Sequence, residues 1–142
     1  MKRGLRNMEL DKKLIQLRID VIERNIKEAR EIVEGEISYR DELALKHALL
    51  ESIEACFDIA NHIISVFDFR RPLSYSDAFE VLKENRIIDE KLAERLKEMA
   101  KFRNFLVHRY AFVQKEKLVE IVKQDINDIE EFVKVVLRLI KK

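Results

Sequence analysis

Glycine, proline, cysteine and tryptophan are nearly missing from this chain: two, one, one and none among 142 residues. Such a shortage of glycine and proline removes the punctuation that hairpins and turn-rich β folds need. The lone Cys56 excludes an intramolecular disulfide, and its place in an apolar helical run reads as a small core residue. No apolar stretch nears the roughly 20 residues that span a bilayer. The N-terminus, with Arg3, Arg6, Glu9 and Asp11, has no signal-peptide apolar core. A cytoplasmic location without membrane contact is the expectation. An excess of one charge is missing too: 28 Lys and Arg face 27 Asp and Glu, for a net +1. That balance argues against a protein that coats nucleic acid non-specifically, but it leaves room for a local basic site.

What is present favours helix. Glu, Lys, Arg, Leu, Ile and Ala dominate the remainder. A first run from about Asn7 to Glu34 carries Leu10, Leu14, Leu17, Val21 and Ile22 at steps of three and four, with Ile26 and Val33 in partial continuation. Gly35 follows as a residue tolerant of the left-handed conformation at a helix end. Ser38 and Asp41 resemble a capping box. They open the longest clean seam: Leu45, Leu49, Ile53, Cys56, Ala60, Ile63, Phe67. Pro72 breaks the chain, and Ser74 or Ser76 caps a short helix through Leu82. Asp89 caps a further helix with Leu92, Leu96, Met99, Phe102 and Leu106 inward. A second break spans His108 to Gln114, and a last helix runs from about Lys115 to Lys141 on Leu118, Ile121, Val122, Ile126, Ile129, Val133, Val136 and Ile140. The prediction is one all-α domain over residues 1–142: an antiparallel four-helix bundle of long helices with one additional short helix.

Most familiar chemistries find no foothold. The three histidines, His47, His62 and His108, lie at no usual zinc-ligand spacing, so no metal is expected. No glycine-rich phosphate loop and no serine–histidine arrangement stand out, and no cofactor is expected. His47 reads as an ordinary surface residue. Asp58 and His62 share a helix face at i,i+4 and read first as a hydrogen-bonding pair at the surface or between helices. Asp58 could alternatively fix His62 or reach Arg103 across the bundle.

The stretch from Arg103 to Tyr110 is different. On an unbroken helix Arg103 and Tyr110 would lie about 20° apart, whereas His108 would point about 140° away from Arg103, on the face of Asn104. Convergence of all four requires the helix to end near Val107 or His108. An arginine offers a fixed fork of donors to phosphate, and a histidine passes protons near neutral pH. Together they suffice for RNA cleavage by the RNA's own 2′-hydroxyl without metal, with charge on the phosphorane stabilised. Asn104 could orient the imidazole or bind phosphate, and Tyr110 could stack on a base or donate its hydroxyl. Locally, Lys101, Arg103, Arg109, Lys115 and Lys117 face one acid, Glu116, and Phe102, Phe105, Tyr110 and Phe112 are interleaved, a composition suited to RNA. From residue types alone, a structural role leads, because Arg and His in a last helical turn complement the macrodipole.

The run Met99-Ala100-Lys101-Phe102-Arg103-Asn104-Phe105-Leu106-Val107-His108-Arg109-Tyr110 resembles the motif of the HepT-like branch of the HEPN superfamily. The stretch Ala55 to Ile64 is similar to that branch's second helix, and Arg71-Pro72-Leu73-Ser74-Tyr75 to its following loop. The likeness extends over roughly Leu43 to Phe132 and leaves the N-terminal helix without a signature. It implies a helical bundle that forms a homodimer with two motif copies at a cleft. It also implies a metal-independent endoribonuclease toxin, paired with a minimal nucleotidyltransferase antitoxin that attaches AMP to the motif tyrosine. Arg103 and His108 would be catalytic, Asn104, Arg109 and Tyr110 would support RNA binding, and Tyr110 would be the modification target. The competing reading is a non-catalytic scaffold whose cleft binds a nucleotide or the nucleotidyltransferase.

Overall fold

The computed structural model describes residues 9–141. Helix α1 spans Lys12–Ile32, α2 Tyr39–Val66, α3 Tyr75–Glu84 and α4 Glu90–His108. A 3-10 turn at Tyr110–Phe112 leads to α5, Lys115–Glu120, which runs through a π-helical turn at Ile121–Asp125 into α6, Ile126–Ile140. All regular structure among the described residues is helical, with no strand, as the composition predicts.

Each start signal acts locally. Asp11 caps α1 by accepting the Leu14 N–H at 3.0 Å. Ser38 and Asp41 form a reciprocal capping box at α2. Ser74 accepts the Asp77 N–H at 3.1 Å and so decides between the two serines. Asp89 accepts the Leu92 N–H at 2.8 Å.

Side-chain links across helices report their directions. Asp11 meets His62, Arg18 meets Asp58 and Asn25 meets Glu51, so α1 and α2 run antiparallel. Glu54 meets Arg103 and Lys46 meets Tyr110, so α4 runs antiparallel to α2 on another side. Arg30 ties α1 to Glu130 of α6, and Arg95 ties α4 to Asp128 and Glu131 of α6. Helix α3 packs chiefly on α4 and carries Phe79 against Phe132 edge-on at 5.8 Å.

The predicted seams of α2, α4 and α6 are inside: Leu45, Leu49, Ile53, Ile63, Leu92, Leu96, Leu106, Ile129 and Val136 are buried, while Phe67, Phe102 and Ile140 are only partly so. Cys56 is buried, and that burial pushes its thiol pKa up, away from reactivity.

Several expectations are corrected. The inward face of α1 is Ile15, Ile19, Ile22, Ile26 and Ala29: Ile22 and Ile26 of the predicted stripe are inside, Ile15 and Ile19 take the places expected of Leu14, Leu17 and Val21, and Leu17 is 55% exposed. Helix α1 is apolar over a wide arc: Leu14 and Val21 are partly buried at its margin, and Leu17 is left outside. It begins at Lys12, later than expected; Asn7 itself lies outside the described residues. Gly35 does not supply a left-handed residue: α1 ends on Val33 in right-handed geometry, and the positive φ values belong to Asp68 and Arg86. The last helix is not uniform, because the π-helical turn interrupts it.

The loop before α3 is held by charge. Arg70 donates from Nη1 and Nη2 to Asp77 at 2.8 and 2.9 Å, and the Leu73 N–H donates to the same carboxylate at 2.9 Å. The guanidinium, helped by the Leu73 N–H, holds the Asp77 carboxyl down to about 2. Its stabilising effect is therefore present above the ordinary carboxylate range and lost as pH falls towards 2. In denaturant titrations, Asp77→Asn should be less stable than the parent chain at pH 6, and the gap should close as pH falls through about 2. A gap that stays constant across that range would mean that the Asp77 charge does not hold the loop.

Candidate functional site

Helix α4 ends at His108, where the sequence geometry requires it to end. Arg109 leaves helical geometry with φ −129 and ψ 37, while its N–H still donates to the Phe105 carbonyl at 2.8 Å. Its own carbonyl accepts the Phe112 N–H at 2.8 Å and closes the 3-10 turn. Leu106 is fully buried and Phe102 partly buried, so the polar residues of this stretch sit on an anchored base.

Arg103 points into the groove between α2 and α3. Its Nε and Nη2 donate to Glu54 Oε2 at 3.2 and 2.8 Å, and Nη2 also donates to the Tyr75 hydroxyl at 3.1 Å. The guanidinium carbon stands 4.0 Å from the centre of the Tyr75 ring, and that ring stacks on Phe57 at 4.0 Å with 6° between planes. The side chain is only 17% exposed. Asn104 lies at the surface, and its Oδ1 accepts from Arg103 Nη1 at 3.1 Å.

Tyr110 has a different anchor. Lys46, 5% exposed, donates from Nζ to the Tyr110 carbonyl at 2.9 Å, and its ammonium lies 4.6 Å from the centre of the phenol ring. An ammonium so buried must find an acceptor, and the chain leaving α4 provides both a carbonyl and a π face. The residue as a whole remains 39% exposed. Arg109 and His108 are exposed, and His108 has no hydrogen bond to Arg103 or Tyr110 among the described residues.

Within one chain, then, Arg103 and Asn104 are joined, while Tyr110 is anchored separately. Their supports on α2, Glu54 and Lys46, stand eight residues apart, about 12 Å along the helix. Phe105, Val107, Tyr110 and Phe112 are exposed around the end of α4.

The second-helix polar residues hydrogen-bond between helices, as first read, but to α1 and not to each other. Asp58 pairs with Arg18 at 3.1 Å, and His62 Nε2 accepts the Asp11 N–H at 2.9 Å. Each links α2 to α1, so they neither pair with each other nor reach Arg103; the carboxylate that does is Glu54, one turn earlier. His47 is on the surface, 3.6 Å from Glu51. Among the described residues no three His, Cys, Asp or Glu side chains gather closely enough to hold a metal ion, and no helix is long and apolar enough to cross a membrane.

Sequence reading missed Glu54, Lys46 and Tyr75. Lys46 carried a signal: it precedes Leu49 and Leu50 by one turn and Ile53 by two, inside an apolar stripe. Glu54 carried none, since its partner is 49 residues away.

Residues 18–136 match the family described as Ribonuclease HepT-like. This chain belongs to that family. It is 30% identical over 123 residues to the mRNA nuclease HepT of Shewanella oneidensis, covering 84% of this chain and 92% of that protein. Among solved structures, a toxin–antitoxin complex with AMP-PNP superposes with a TM-score of 0.81 at 30% identity, over 89% of this chain and 98% of that one. A tri-AMPylated HEPN toxin of Shewanella oneidensis in complex with MNT antitoxin does so with a TM-score of 0.81 at 29% identity, over 88% and 97% of the two chains. The resemblance drawn from the motif thereby extends over residues 18–136, including α1 from Arg18 onward, where the sequence showed no signature.

Lys46 gives this site a direct structural test. Replacing it with Met keeps most of the buried stem but removes the ammonium. Hydrogen exchange should accelerate across residues 109–113 while α1 keeps its protection, and stability should fall by about 1 kcal/mol. Unchanged exchange in that segment would show that Lys46 does not hold it.

Proposed function

We propose that this chain is a metal-independent endoribonuclease toxin of a toxin–antitoxin pair, with Arg103 and His108 as its catalytic residues. The observation that carries this reading is the ending of α4. Arg103 is rigidly held over Tyr75, and five residues later His108 stands exposed at the helix terminus. The relative named as an mRNA nuclease supports the activity. In the reaction, the 2′-oxygen attacks the adjacent phosphorus and the 5′-oxygen leaves. His108 moves a proton to or from one of these oxygens, and Arg103 stabilises the charge on the phosphorane. Asn104, Arg109 and Tyr110 line the RNA path.

The partner is a minimal nucleotidyltransferase antitoxin, which silences the toxin by transferring AMP to the Tyr110 hydroxyl. The AMPylated toxin–antitoxin relative supports this, as does the exposure of Tyr110. The chain acts as a homodimer, and the exposed apolar residues around the end of α4 suit a second copy. One observation favours the scaffold reading instead: the Arg103 guanidinium is already engaged by a carboxylate.

Purified protein should cleave RNA in the presence of EDTA, and His108→Ala and Arg103→Ala should each lose about 100-fold or more. Expression of the chain alone should arrest growth, and His108→Ala should relieve it. No cleavage of any cellular RNA, with harmless expression, would favour the scaffold.

A further inference from the structure

A guanidinium has five N–H groups, and in Arg103 four of them are already committed. Nε–H and one Nη2–H go to Glu54 Oε2, the other Nη2–H goes to the Tyr75 hydroxyl, and one Nη1–H goes to Asn104 Oδ1. A bidentate phosphate needs two parallel N–H groups along one edge. The Nε/Nη2 edge is filled by Glu54, and the Nη1/Nη2 edge has lost its Nη2 half to Tyr75. Among the described residues, a single Nη1–H remains without a partner. Beside it sits Asn104, whose oxygen is held by Arg103 and whose Nδ2–H2 is left as a donor at the surface. The ring of Tyr75, itself stacked on Phe57, fixes the plane in which all of this is presented.

We propose that Glu54 is a positioning residue for the ribonuclease. Resting on the catalytic reading above, its carboxylate holds the far edge of Arg103 so that Nη1–H and Asn104 Nδ2–H2 face the scissile phosphate. Arg103 therefore stabilises the phosphorane through one fixed N–H, assisted by the asparagine amide. Glu54 does this through one oxygen, because both of its hydrogen bonds from Arg103 end on Oε2. An amide oxygen can replace that atom. An aspartate keeps the charge but falls one methylene short.

Three variants separate position from charge: Glu54→Gln, Glu54→Asp and Glu54→Ala. They are assayed on a fluorogenic mixed-sequence RNA oligonucleotide, with thermal melting to confirm folding. Positioning predicts that Glu54→Gln keeps kcat within about threefold of the parent chain. Glu54→Asp and Glu54→Ala should each lose about tenfold or more in kcat, with KM changed by less than about threefold. The Arg103 Nε–H resonance, assigned through its absence in Arg103→Lys, should persist with slow exchange in Glu54→Gln and vanish in Glu54→Ala. If the parent chain cleaves RNA but Glu54→Asp matches or exceeds it, Glu54 masks the arginine and the positioning role is overturned. That role is equally overturned if Glu54→Gln falls as far as Glu54→Ala. If the parent chain cleaves nothing, the ribonuclease reading itself fails and takes this proposal with it, whatever the resonance does.

Discussion

Where α4 stops decides how the motif is displayed, and a buried lysine holds the stop in place. Lys46 lies in the inward stripe of α2 at 5% exposure, and the chain just beyond α4 supplies its acceptor. A continuous helix would bond the Tyr110 carbonyl along its own axis. Here the carbonyl accepts from the ammonium at 2.9 Å and keeps only a long 3.5 Å main-chain bond from the Val113 N–H, and the phenol ring comes to lie against the same charge. His108 is the last residue of α4, so it keeps its helical direction, about 140° round from Arg103. Ending there, it sits at the negative pole of the helix, exposed, with the chain turning away beneath it.

Helix α2 works as the common reference for these placements. Through Glu51, Asp58 and His62 it is linked to α1, and through Lys46 and Glu54 to α4 and the turn after it. The apolar side chains between them make the core, and the polar links form its rim. An exposed pair such as Arg18–Asp58 adds little to stability, typically under about 1 kcal/mol, whereas the buried Lys46 ammonium requires its acceptor. The effect of the rim links is on direction, since they determine which edge of a guanidinium faces solvent and which is spent inside. Tyr75 enters the same arrangement from α3, whose start is set by the Ser74 cap and the Arg70–Asp77 pair. The loop chemistry before α3 thus bears on the arginine of α4.

Much of this was legible from residue order. Strong seams on α2, α4 and α6 appear at helical period because each helix has one dominant apolar face. Caps at Ser38, Ser74 and Asp89 are local signals, satisfied within three residues. The Arg103–Tyr110 cluster is also local, and its geometry required the break at His108. Helix α1 was read correctly at Ile22 and Ile26 but not at Leu17, because its apolar arc is wide; where the centre of that arc lies depends on α2 and α6, and no count along α1 contains that. The pairing of Asp58 with His62 failed for a similar reason. Sharing a face at i,i+4 permits contact, but α1 offers Arg18 and the Asp11 N–H to the same two side chains.

For Arg103 to Tyr110, the residue types and their spacing already determine that an arginine and a histidine stand near one helix end, in a locally basic setting. Composition determines the all-α class, because nothing in the chain can build turns often enough for sheets. Only the tertiary structure decides which donors of Arg103 remain available, since Glu54 is 49 residues away and Tyr75 28. It alone also decides that Lys46, 64 residues before Tyr110, holds the turn. The physical reason is the same in each case. A hydrogen bond is short and directional, so its existence depends on where the packed core brings two distant helices to within about 3 Å, and sequence separation carries no record of that distance.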